Sequence, residues 1–403
     1  MLIVKKFGGS SVADKDRIYN VARRCVEDYH KGNDVVVVLS AMGDTTDNLI
    51  DLANQITENP SKREMDMLLV TGEQISVALM VMAMNELDVP AISLNAYQVA
   101  MHTTSTYGNS RLKKIDTDRI NMELENRKIV VVTGFQGLNK YDDFTTLGRG
   151  GSDTTAVALA AALHADACEI YTDVEGVYTS DPRVVPNARK LKEITYDEML
   201  DLATLGAKVL HNRSVEMAKK YDVQLVVRSS LTTAEGTVVK EEVKVEKRLV
   251  SGVAADKNAA RISLIGLKDV PGVAFKLFNL LAKENINVDI ILQSVGRDGT
   301  KDISFTVDKE NLKSSLAVIE NNKESLTAQK IESEENVAKV SVVGAGMMTD
   351  PGVAAKMFEA LFNEGINIKM ICTSEIRVTV LIDASEVDRA TRAVHDAFDL
   401  GVE

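Results

Sequence analysis

Cysteine is scarce in this sequence, and its placement does not suggest a disulfide framework or a metal site. Cys25, Cys168 and Cys372 are far apart and odd in number, and no CxxC pair occurs. This usage is typical of reduced thiols in a cytosolic protein. The five histidines include no pair at metal-ligand spacing, so we expect no zinc site.

Long apolar segments are also missing. The most apolar helical stretch, ISVALMVMAM (75–84), is far shorter than the roughly 18 residues that span a bilayer. In the opening MLIVKKFGGSS, lysines follow the first four residues, so we expect no secretory signal peptide. We therefore expect a cytoplasmic protein that does not associate with membranes.

Positive charge is in the minority. The chain has 47 lysines and arginines against 59 aspartates and glutamates, a net charge of -12, and its basic residues are dispersed. This pattern excludes the electrostatic footprint of a protein that binds nucleic acid or anionic membranes. An anionic substrate would instead need a local group of cations.

What the sequence does contain is an alternation of short β-branched runs with helical patterns. Five runs are strand candidates: MLIVKKF, DVVVVLS, KIVVVTG, CEIYTD and VQLVVRS. Strands that alternate with helices predict an α/β fold with a mainly parallel sheet covered on both faces. Because 403 residues exceed one ordinary core, we expect several domains, the first over 1–240. The charged stretch EEVKVEKR (241–248) marks the expected boundary, as a linker or an exposed strand.

Beyond this boundary the chain repeats itself. Segments 260–294 and 338–374 align with a constant offset of 80 from Pro271/Pro351 to Ser294/Ser374. This match predicts two copies of one module with the pattern strand, Pro-Gly turn, helix, strand, strand, helix. Only the first copy continues into a closing strand, and LVSGVAAD (249–256) can supply the strand that the second lacks. We therefore predict that a first module, 260–335, is inserted into a second, formed by 249–259 and 336–403.

Three stretches of the first domain place glycine, hydroxyl or acidic residues where a ligand could bind. In KKFGGSS (5–11), glycines after a strand would bring backbone N–H groups and a lysine to the sheet edge, or would form a simple turn. In LSAMGDTTD (39–47), Ser40 and Thr46 could donate to a ligand or cap the next helix. In TGEQIS (71–76), we expect Glu73 in the first turn of a helix, as a capping partner or facing a ligand's ammonium.

Three further stretches follow. In TTLGRGGSDTT (145–155), Ser152 or Asp153 is a candidate helix N-cap, but capping does not require Arg149, which could bind a carboxylate or phosphate. The loop YTDVEGVYTSDPR (171–183) is either solvated or packs the ring of Tyr178 on a flat group such as a nucleobase. In LGAKVLHNRS (205–214), Lys208 is either a surface lysine or a site residue.

The order of these motifs resembles that of the aspartokinases of the amino-acid kinase family, which end in two ACT domains. The motifs are KFGGSS, SAMGDTTD, TGEQ, TLGRGGSDTTA, YTDVEGVYTSDPR and GAKVLH, followed by paired modules with DVPG and TDPG turns. The resemblance covers essentially the whole chain. It implies an amino-acid kinase sandwich followed by two ferredoxin-like ACT modules. One departure is Asn212, which stands where proline is common in the family.

The resemblance implies ATP-dependent phosphorylation of the L-aspartate β-carboxylate to 4-phospho-L-aspartate, the first step of lysine, threonine and methionine biosynthesis. The implied catalytic residues are Lys6 and Asp153. Aspartate would be bound by Ser40, Thr46, Glu73, Arg149, Gly150, Gly151 and Ser152. The nucleotide would be bound by Lys6, Phe7, Gly8, Gly9, Thr172, Asp173, Tyr178, Asp181, Arg183, Lys208 and Val209. The implied cofactors are ATP and Mg²⁺, with the metal arriving on ATP rather than in a site of protein ligands.

The paired ACT modules imply regulation by lysine, threonine or both, and assembly into a homo-oligomer. Candidate effector residues in the first module are Asp269, Gly272, Val273, Ala274, Asp289 and Gln293; those in the second are Asn367 and Ile368. Asp269 could instead simply start the DVPG turn. Two other functions stay open: a kinase for another acid, such as glutamate or N-acetylglutamate, and a catalytically inactive amino-acid sensor.

Overall fold

The computed structural model describes residues 1–206, 209–242, 249–294, 299–348 and 350–402. Contacts within the chain divide them into two units. The first unit contains Met1–Tyr178, Lys190–Thr204 and 209–242, and the second contains Thr179–Arg189, 205–206 and the described residues from 249 onward. Most of the expected boundary, 243–248, and the candidate Lys208 lie outside the described residues.

The first unit alternates strands with helices, as the β-branched runs predict. Its strands are β1 Leu2–Phe7, β2 Asp34–Leu39, β3 Ala91–Leu94, β4 His102–Thr103, β5 Leu112–Lys114, β6 Ile129–Thr133, β7 Gln136–Leu138, β8 Phe144–Thr146, β9 Ala167–Thr172, β10 Glu193–Thr195, β11 Leu225–Ser229 and β12 Thr237–Lys240. Its helices are α1 Lys15–His30, α2 Thr45–Ile56, α3 Lys62–Glu86, α4 Asp118–Glu125, α5 Gly151–Ala162, α6 Tyr196–Thr204 and α7 Asn212–Tyr221.

The main sheet has eight strands in the order β10-β12-β11-β9-β1-β2-β6-β3. The five strands predicted from the sequence form its centre, and every pair among them is parallel. Strands β2 and β6 are buried almost throughout, which explains their nearly unbroken valine runs. A core of α1, α3 and sheet residues fills one face, and α5 packs against β1, β2 and β9. The predicted mainly parallel α/β sheet is confirmed.

The sequence did not predict a second, four-stranded sheet, β5-β4-β7-β8, built from very short strands. It also placed Glu73 wrongly. Helix α3 begins at Lys62, where the Ser61 side chain accepts from Glu64 N, so Glu73 lies in the middle of the helix instead of its first turn. The 25-residue α3 is long and apolar enough to cross a membrane by length and composition alone, but it buries Asp66 and Glu73 inside the first unit.

The second unit contains the two modules. Its strands are β13 Gly252–Lys268, β14 Ile291–Gln293, β15 Thr300–Val307, β16 Lys330–Val343, β17 Met370–Thr373 and β18 Arg377–Asp383. Its helices are α8 Val273–Lys283, α9 Leu312–Asn321, α10 Lys323–Leu326, α11 Gly352–Asn363 and α12 Val387–Ala397. The six strands form one sheet in the order β14-β15-β13-β16-β18-β17.

Two long strands run through both modules. The first part of β13 pairs with β16 from Gly252↔Val343 to Asp256↔Lys339, and its later part pairs with both β16 and β15. The run 249–256 is therefore not a separate strand, because β13 continues past it across two register shifts with no turn. One core joins Val250 and Val253 to residues after 337, and another joins residues from 260 to 331.

Candidate active site

The carboxyl ends of three central strands meet at one edge of the main sheet. Phe7 of β1 is in register with Leu39 of β2, which is in register with Thr133 of β6. The loops that follow these strands begin at Gly8, Ser40 and Gly134, so they lie side by side. This is the edge at which parallel α/β sheets bind ligands.

An open cleft of about 330 Å³ lies at this edge. Eleven of its lining residues were candidates from the sequence: Lys6, Gly8, Gly9, Ser40, Thr46, Glu73, Arg149, Gly150, Gly151, Ser152 and Asp153. The others, Ala41, Gly43, Phe135 and Gly148, carry no ionisable side chain and were missed. The structure thus brings the candidate catalytic and aspartate-binding residues to one surface.

Lys6 and Asp153 form an ion pair inside the cleft. Lys6 Nζ lies 2.7 Å from Asp153 Oδ1, and both side chains are about nine-tenths buried. The angles are not those of a hydrogen bond, so Asp153 Oδ1 has no hydrogen-bond partner among the described residues. Asp153 lies in the first turn of α5, whose N-cap is Gly150 rather than the expected Ser152 or Asp153. A lysine charge and a helix N-terminus therefore face the same space, a favourable setting for an anion.

Glu73 is a buried carboxylate with one free oxygen. Its side chain is 3% exposed, Oε1 accepts from Ala41 N at 3.1 Å, and Oε2 has no partner among the described residues. Burial raises the pKa of Glu73 to about 7, against the weaker opposite effect of the Ala41 amide. Burying an unpaired carboxylate is unfavourable, so this geometry suits a group that brings a positive charge.

Arg149 is a cation at the same cleft, and its guanidinium is available to a ligand. It is exposed at the cleft and forms no hydrogen bond or ion pair with any described residue. It follows a loop held from two sides: buried Asp66 accepts from Thr146 N at 2.9 Å and Oγ1 at 2.7 Å, and Arg213 donates to Leu147 O at 2.9 Å. Asp66 and Arg213 were missed, although a lone acid within the apolar pattern MDMLLV (65–70) was a usable signal.

Glycine is required where two chain segments touch in the cleft. A Cβ on Gly9 would lie 2.6 Å from Ala41 O, and a Cβ on Gly150 would lie 2.3 Å from His211 Cγ. Gly150 also has a φ of +69°, in the left-handed region.

Neither Ser40 nor Thr46 caps α2, whose N-cap is Asp44. Both hydroxyls therefore remain available to a ligand.

The candidate nucleotide residues do not all behave alike. Thr172 ends β9, beside the ends of β1 and β11, and its hydroxyl donates to Asp173 Oδ1 at 2.9 Å. Tyr178 and Val209 are half-buried. Asp181 and Arg183 pair at 2.8 Å and belong to the second unit. The ring of Phe7 is fully buried and stacks on Tyr171 at 4.4 Å, so Phe7 can reach a ligand only through its backbone.

The candidate effector residues fall into two groups. Asp269 pairs with Lys301 at 3.1 Å, next to Gly272, Val273 and Ala274 at the start of α8, and Asp289 pairs with buried Lys339 at 2.5 Å. Gln293 is exposed on the edge strand β14. Asn367 and Ile368 precede β17, at the opposite edge of the sheet. These groups are separate candidate sites within one chain.

Within the described ranges, no group of three His, Cys, Asp or Glu side chains could hold a metal ion. The cleft therefore combines one buried acid, two cations, one ion-paired acid and a backbone cradle. Such a set can bind a small zwitterionic acid beside an anion.

Comparison with known proteins agrees with this geometry. Residues 1–229 match the amino acid kinase family, and residues 262–322 and 340–398 match an ACT domain. The aspartokinase of Bacillus sp. (strain MGA3) is 53% identical over 400 residues, covering 99% of this chain and 97% of the relative. The structure of E. coli aspartokinase III in complex with aspartate and ADP (R-state) matches with a TM-score of 0.84 at 28% identity, covering 98% of this chain and 99% of the other. The structure of that enzyme with lysine and aspartate (T-state) matches with a TM-score of 0.77 at 29% identity and the same coverage. The chain therefore belongs to the aspartokinases of the amino acid kinase family, with paired ACT domains after its kinase domain.

Proposed function

We propose that this chain transfers the γ-phosphoryl group of ATP to the β-carboxylate of L-aspartate and forms 4-phospho-L-aspartate, the entry to lysine, threonine and methionine biosynthesis. The observation that carries the proposal is that one cleft contains two groups of opposite charge, each without a partner among the described residues. Glu73 offers a buried carboxylate oxygen, and Arg149 offers a guanidinium without a partner among the described residues. An acidic α-amino acid satisfies both at once, because its ammonium suits Glu73 and a carboxylate suits Arg149. A relative in this family was solved with aspartate and ADP.

The reaction needs charge neutralisation more than proton transfer. A carboxylate with a pKa of about 4 is already ionised at neutral pH, so no general base is required. The obstacle is to bring this anion to a polyanionic phosphate chain. Lys6 and the N-terminus of α5 would neutralise the transferring group, and Asp153 would hold the Lys6 ammonium in place.

The nucleotide phosphates fit the backbone cradle at Gly8 and Gly9. A Cβ on Gly9 would fill this cradle against Ala41 O, so the close approach depends on glycine. Thr172, Asp173, Tyr178, Asp181, Arg183, Lys208 and Val209 remain our candidates for the rest of the nucleotide. Mg²⁺ bound to the phosphates would supply further neutralisation, and the described residues provide no separate cluster for it.

A hydroxamate-trapping assay tests this proposal directly. Purified protein is incubated with ATP, Mg²⁺, hydroxylamine and one acid at a time: L-aspartate, L-glutamate or N-acetylglutamate. We expect product with aspartate only. Turnover on glutamate without turnover on aspartate would overturn the choice of substrate and favour the alternative kinase. Failure with every acid would favour the inactive sensor. Such a sensor should have lost the charge at Lys6, Glu73, Arg149 or Asp153, and none of these charges is lost.

We further propose that lysine, threonine or both inhibit the enzyme through the ACT modules. The Asp269 turn at the start of α8 supports a site in the first module, because a helix N-terminus suits an effector carboxylate and an acid suits its ammonium. A relative was solved with lysine bound. Initial rates with lysine, threonine and the two together would identify the effector. More-than-additive inhibition would indicate a concerted mechanism, and no inhibition by either would remove this proposal.

We also propose a nested module arrangement and a cytoplasmic homo-oligomer. The pairing of 252–256 with 339–343 supports the division into 260–335 and 249–259 plus 336–403. Exposed isoleucines at the two edge strands, Ile291 and Ile371, support assembly through the ACT sheet. The free cysteines support a reducing compartment.

A further inference from the structure

The segment Thr179–Arg189 belongs to the second unit although it continues directly from Tyr178 in the candidate nucleotide loop. It carries Asp181 and Arg183, two of the residues proposed to bind the nucleotide. Its contacts within the second unit therefore decide where these two residues lie. One of these contacts joins two fully buried polar side chains.

Thr179 anchors the segment by its backbone and its side chain. Its N–H donates to Arg189 O at 2.8 Å, and its hydroxyl oxygen accepts from Arg189 N at 2.9 Å, which ties the two ends of the segment together. Its carbonyl accepts from Val253 N of β13 at 2.7 Å. A Cβ on Gly252 would lie 2.9 Å from Thr179 O, so this approach of strand and segment depends on glycine.

His395 of α12 completes the environment of Thr179. Its ring is fully buried, and Nε2 lies 2.9 Å from Thr179 Oγ1. Nδ1 has no hydrogen-bond partner among the described residues, and Asp396 Oδ1 is 3.8 Å away. Burial lowers the pKa of His395, more than the nearby Asp396 carboxylate raises it, so the ring is neutral at pH 7. Because Thr179 Oγ1 already accepts from Arg189 N, its own hydrogen can be donated to Nε2.

The first module shows that its fold does not require this histidine. The strand before α9 ends at Val307, one residue before Asp308, and the strand before α12 ends at Asp383. Aligning Asp308 with Asp383 places Glu320 opposite His395. Glu320 is exposed, whereas His395 is completely buried. Two further contacts join the segment to the same region, Asn187 Nδ2 to Asp396 Oδ1 at 3.1 Å and Arg189 Nε to Leu400 O at 2.8 Å. The burial of His395 is thus specific to the module that holds the segment.

We propose that His395 is a positioning residue for nucleotide binding: through Thr179 it holds the segment that carries Asp181 and Arg183. The inference rests on the proposed function, because it takes these two residues as nucleotide ligands. His395 itself contacts neither substrate. Without this hydrogen bond the buried hydroxyl loses a partner, the segment samples other positions, and the nucleotide must restore the order when it binds.

The test compares His395→Phe, which keeps a ring but loses the hydrogen bond, with His395→Gln, which can still bond to Thr179. We expect His395→Phe to raise the ADP Kd and the KM for ATP on the order of tenfold, as the loss of one buried hydrogen bond predicts. The KM for aspartate and kcat should change less than about twofold, and His395→Gln should restore most of the nucleotide affinity. The control is Thr391→Val on the same helix, which removes a hydroxyl whose one hydrogen bond among the described residues is to Val387 O.

Equilibrium binding of ADP separates this inference from the proposed function. If the native protein binds ADP but does not phosphorylate aspartate, the substrate proposal fails while the ADP comparison still decides the role of His395. Equal ADP Kd values for native protein and His395→Phe would overturn the inference. The inference would also fail if His395→Phe raised the KM for ATP and the KM for aspartate equally. It would fail as well if Thr391→Val raised the ADP Kd as much as His395→Phe does. If His395→Phe does not fold, Asn187→Ala replaces it, and an unchanged ADP Kd in that surface variant would also overturn the inference.

Discussion

Two side chains of the cleft carry charges that no described residue balances, and this is the strongest functional signal at the scale of single residues. In folded proteins a buried carboxylate is usually paired with a cation or a hydrogen-bond donor, because burying an unpaired carboxylate lowers the free energy of unfolding. Glu73 keeps one oxygen unpaired at 3% exposure. The cost suggests a site preorganised for a ligand at the expense of stability.

Glu73→Gln should reveal this cost as a pH-dependent gain in stability. The pKa of Glu73 is about 7 in the folded protein against 4.5 for the free side chain, so the folded state binds more protons between these values. The contribution of Glu73 to the free energy of unfolding is therefore fully present below about pH 4.5 and decreases as the pH rises towards 7. Relative to native protein, Glu73→Gln should gain about 3 kcal/mol of stability between pH 4.5 and pH 8.

Denaturant unfolding of native protein and Glu73→Gln across this pH range measures the difference between their free energies of unfolding. The contributions of other titrating groups largely cancel in this difference. The control is Glu64→Gln, which removes an exposed acid on the same helix and leaves Glu73 in place. A stability difference between native protein and Glu73→Gln that does not change with pH would show that Glu73 is ionised throughout this range. The variant should nevertheless bind aspartate more weakly, because the ammonium loses its counter-charge.

Arg149 and Asp153 should separate binding from catalysis. Arg149→Ala removes a charge-assisted hydrogen-bonding group worth about 2–3 kcal/mol, so the KM for aspartate should rise about 30- to 150-fold with a smaller change in kcat. Asp153→Ala should mainly lower kcat, because Lys6 loses the carboxylate 2.7 Å from its ammonium. Steady-state kinetics with varied aspartate measure both. Normal kinetics in both variants would contradict the assigned roles, and Arg149→Lys tests whether charge alone suffices.

At the scale of elements, the sequence predicted the framework of the cleft well because buried parallel strands have a recognisable sequence pattern. The valine runs of β2 and β6 are buried on both faces, and polar or glycine residues follow each of them. This pattern was enough to expect Lys6 and Gly9 at the sheet edge, whereas the role of Ser40 in the same site came from the family resemblance. The residues that were missed, such as Ala41 and Phe135, have no side-chain chemistry that a sequence motif could show.

Helix starts were predicted less well, for a physical reason. Glu73 was expected in the first turn of a helix, but it lies inside α3, next to Gly72, where a Cβ would be 2.8 Å from the Ala41 Cβ. The function of Gly72 is close packing, which brings Glu73 to the Ala41 amide. Likewise, β13 and β16 each run through two modules, although Asp256, Asn258 and Asn336 are residue types that favour turns. Tertiary packing, which leaves little trace in local sequence, decided these cases.

Gly9→Ala tests whether the loop after β1 depends on such close packing. The new methyl group would lie 2.6 Å from Ala41 O, so the loop after β2 must move. Since the Ala41 amide holds Glu73, we expect a loss of about 1–3 kcal/mol of stability together with a higher KM for aspartate. Gly8→Ala is the matched control, because its φ is -74° and its nearest neighbour would be Lys6 Nζ at 3.6 Å. Thermal unfolding should show a lower Tm for Gly9→Ala only; equal Tm values would mean that the loops yield freely.

At the scale of the whole molecule, the chain has a net charge of -12, although its proposed function requires it to bind a polyanionic nucleotide. Long-range attraction cannot explain such binding, so the local cations and helix N-terminus must supply it. The second unit adds a different property. Its sheet ends in two edge strands, β14 and β17, at equivalent positions of the repeated module, and each exposes an isoleucine. Unprotected edges of this kind favour pairing with another chain.

Lysine substitutions on these edges should therefore break the proposed assembly. Ile291 and Ile371 are 48% and 42% exposed, and a lysine at either position blocks edge-to-edge pairing by charge repulsion and by loss of apolar contact. Sedimentation velocity should give a native particle larger than one 403-residue chain and a smaller particle for Ile291→Lys with Ile371→Lys. Phe362→Lys is the control, because this residue is 81% exposed on helix α11 and not on an edge strand. If the double variant sediments like the native protein while Phe362→Lys dissociates, the helix face holds the copies together and the strand edges do not.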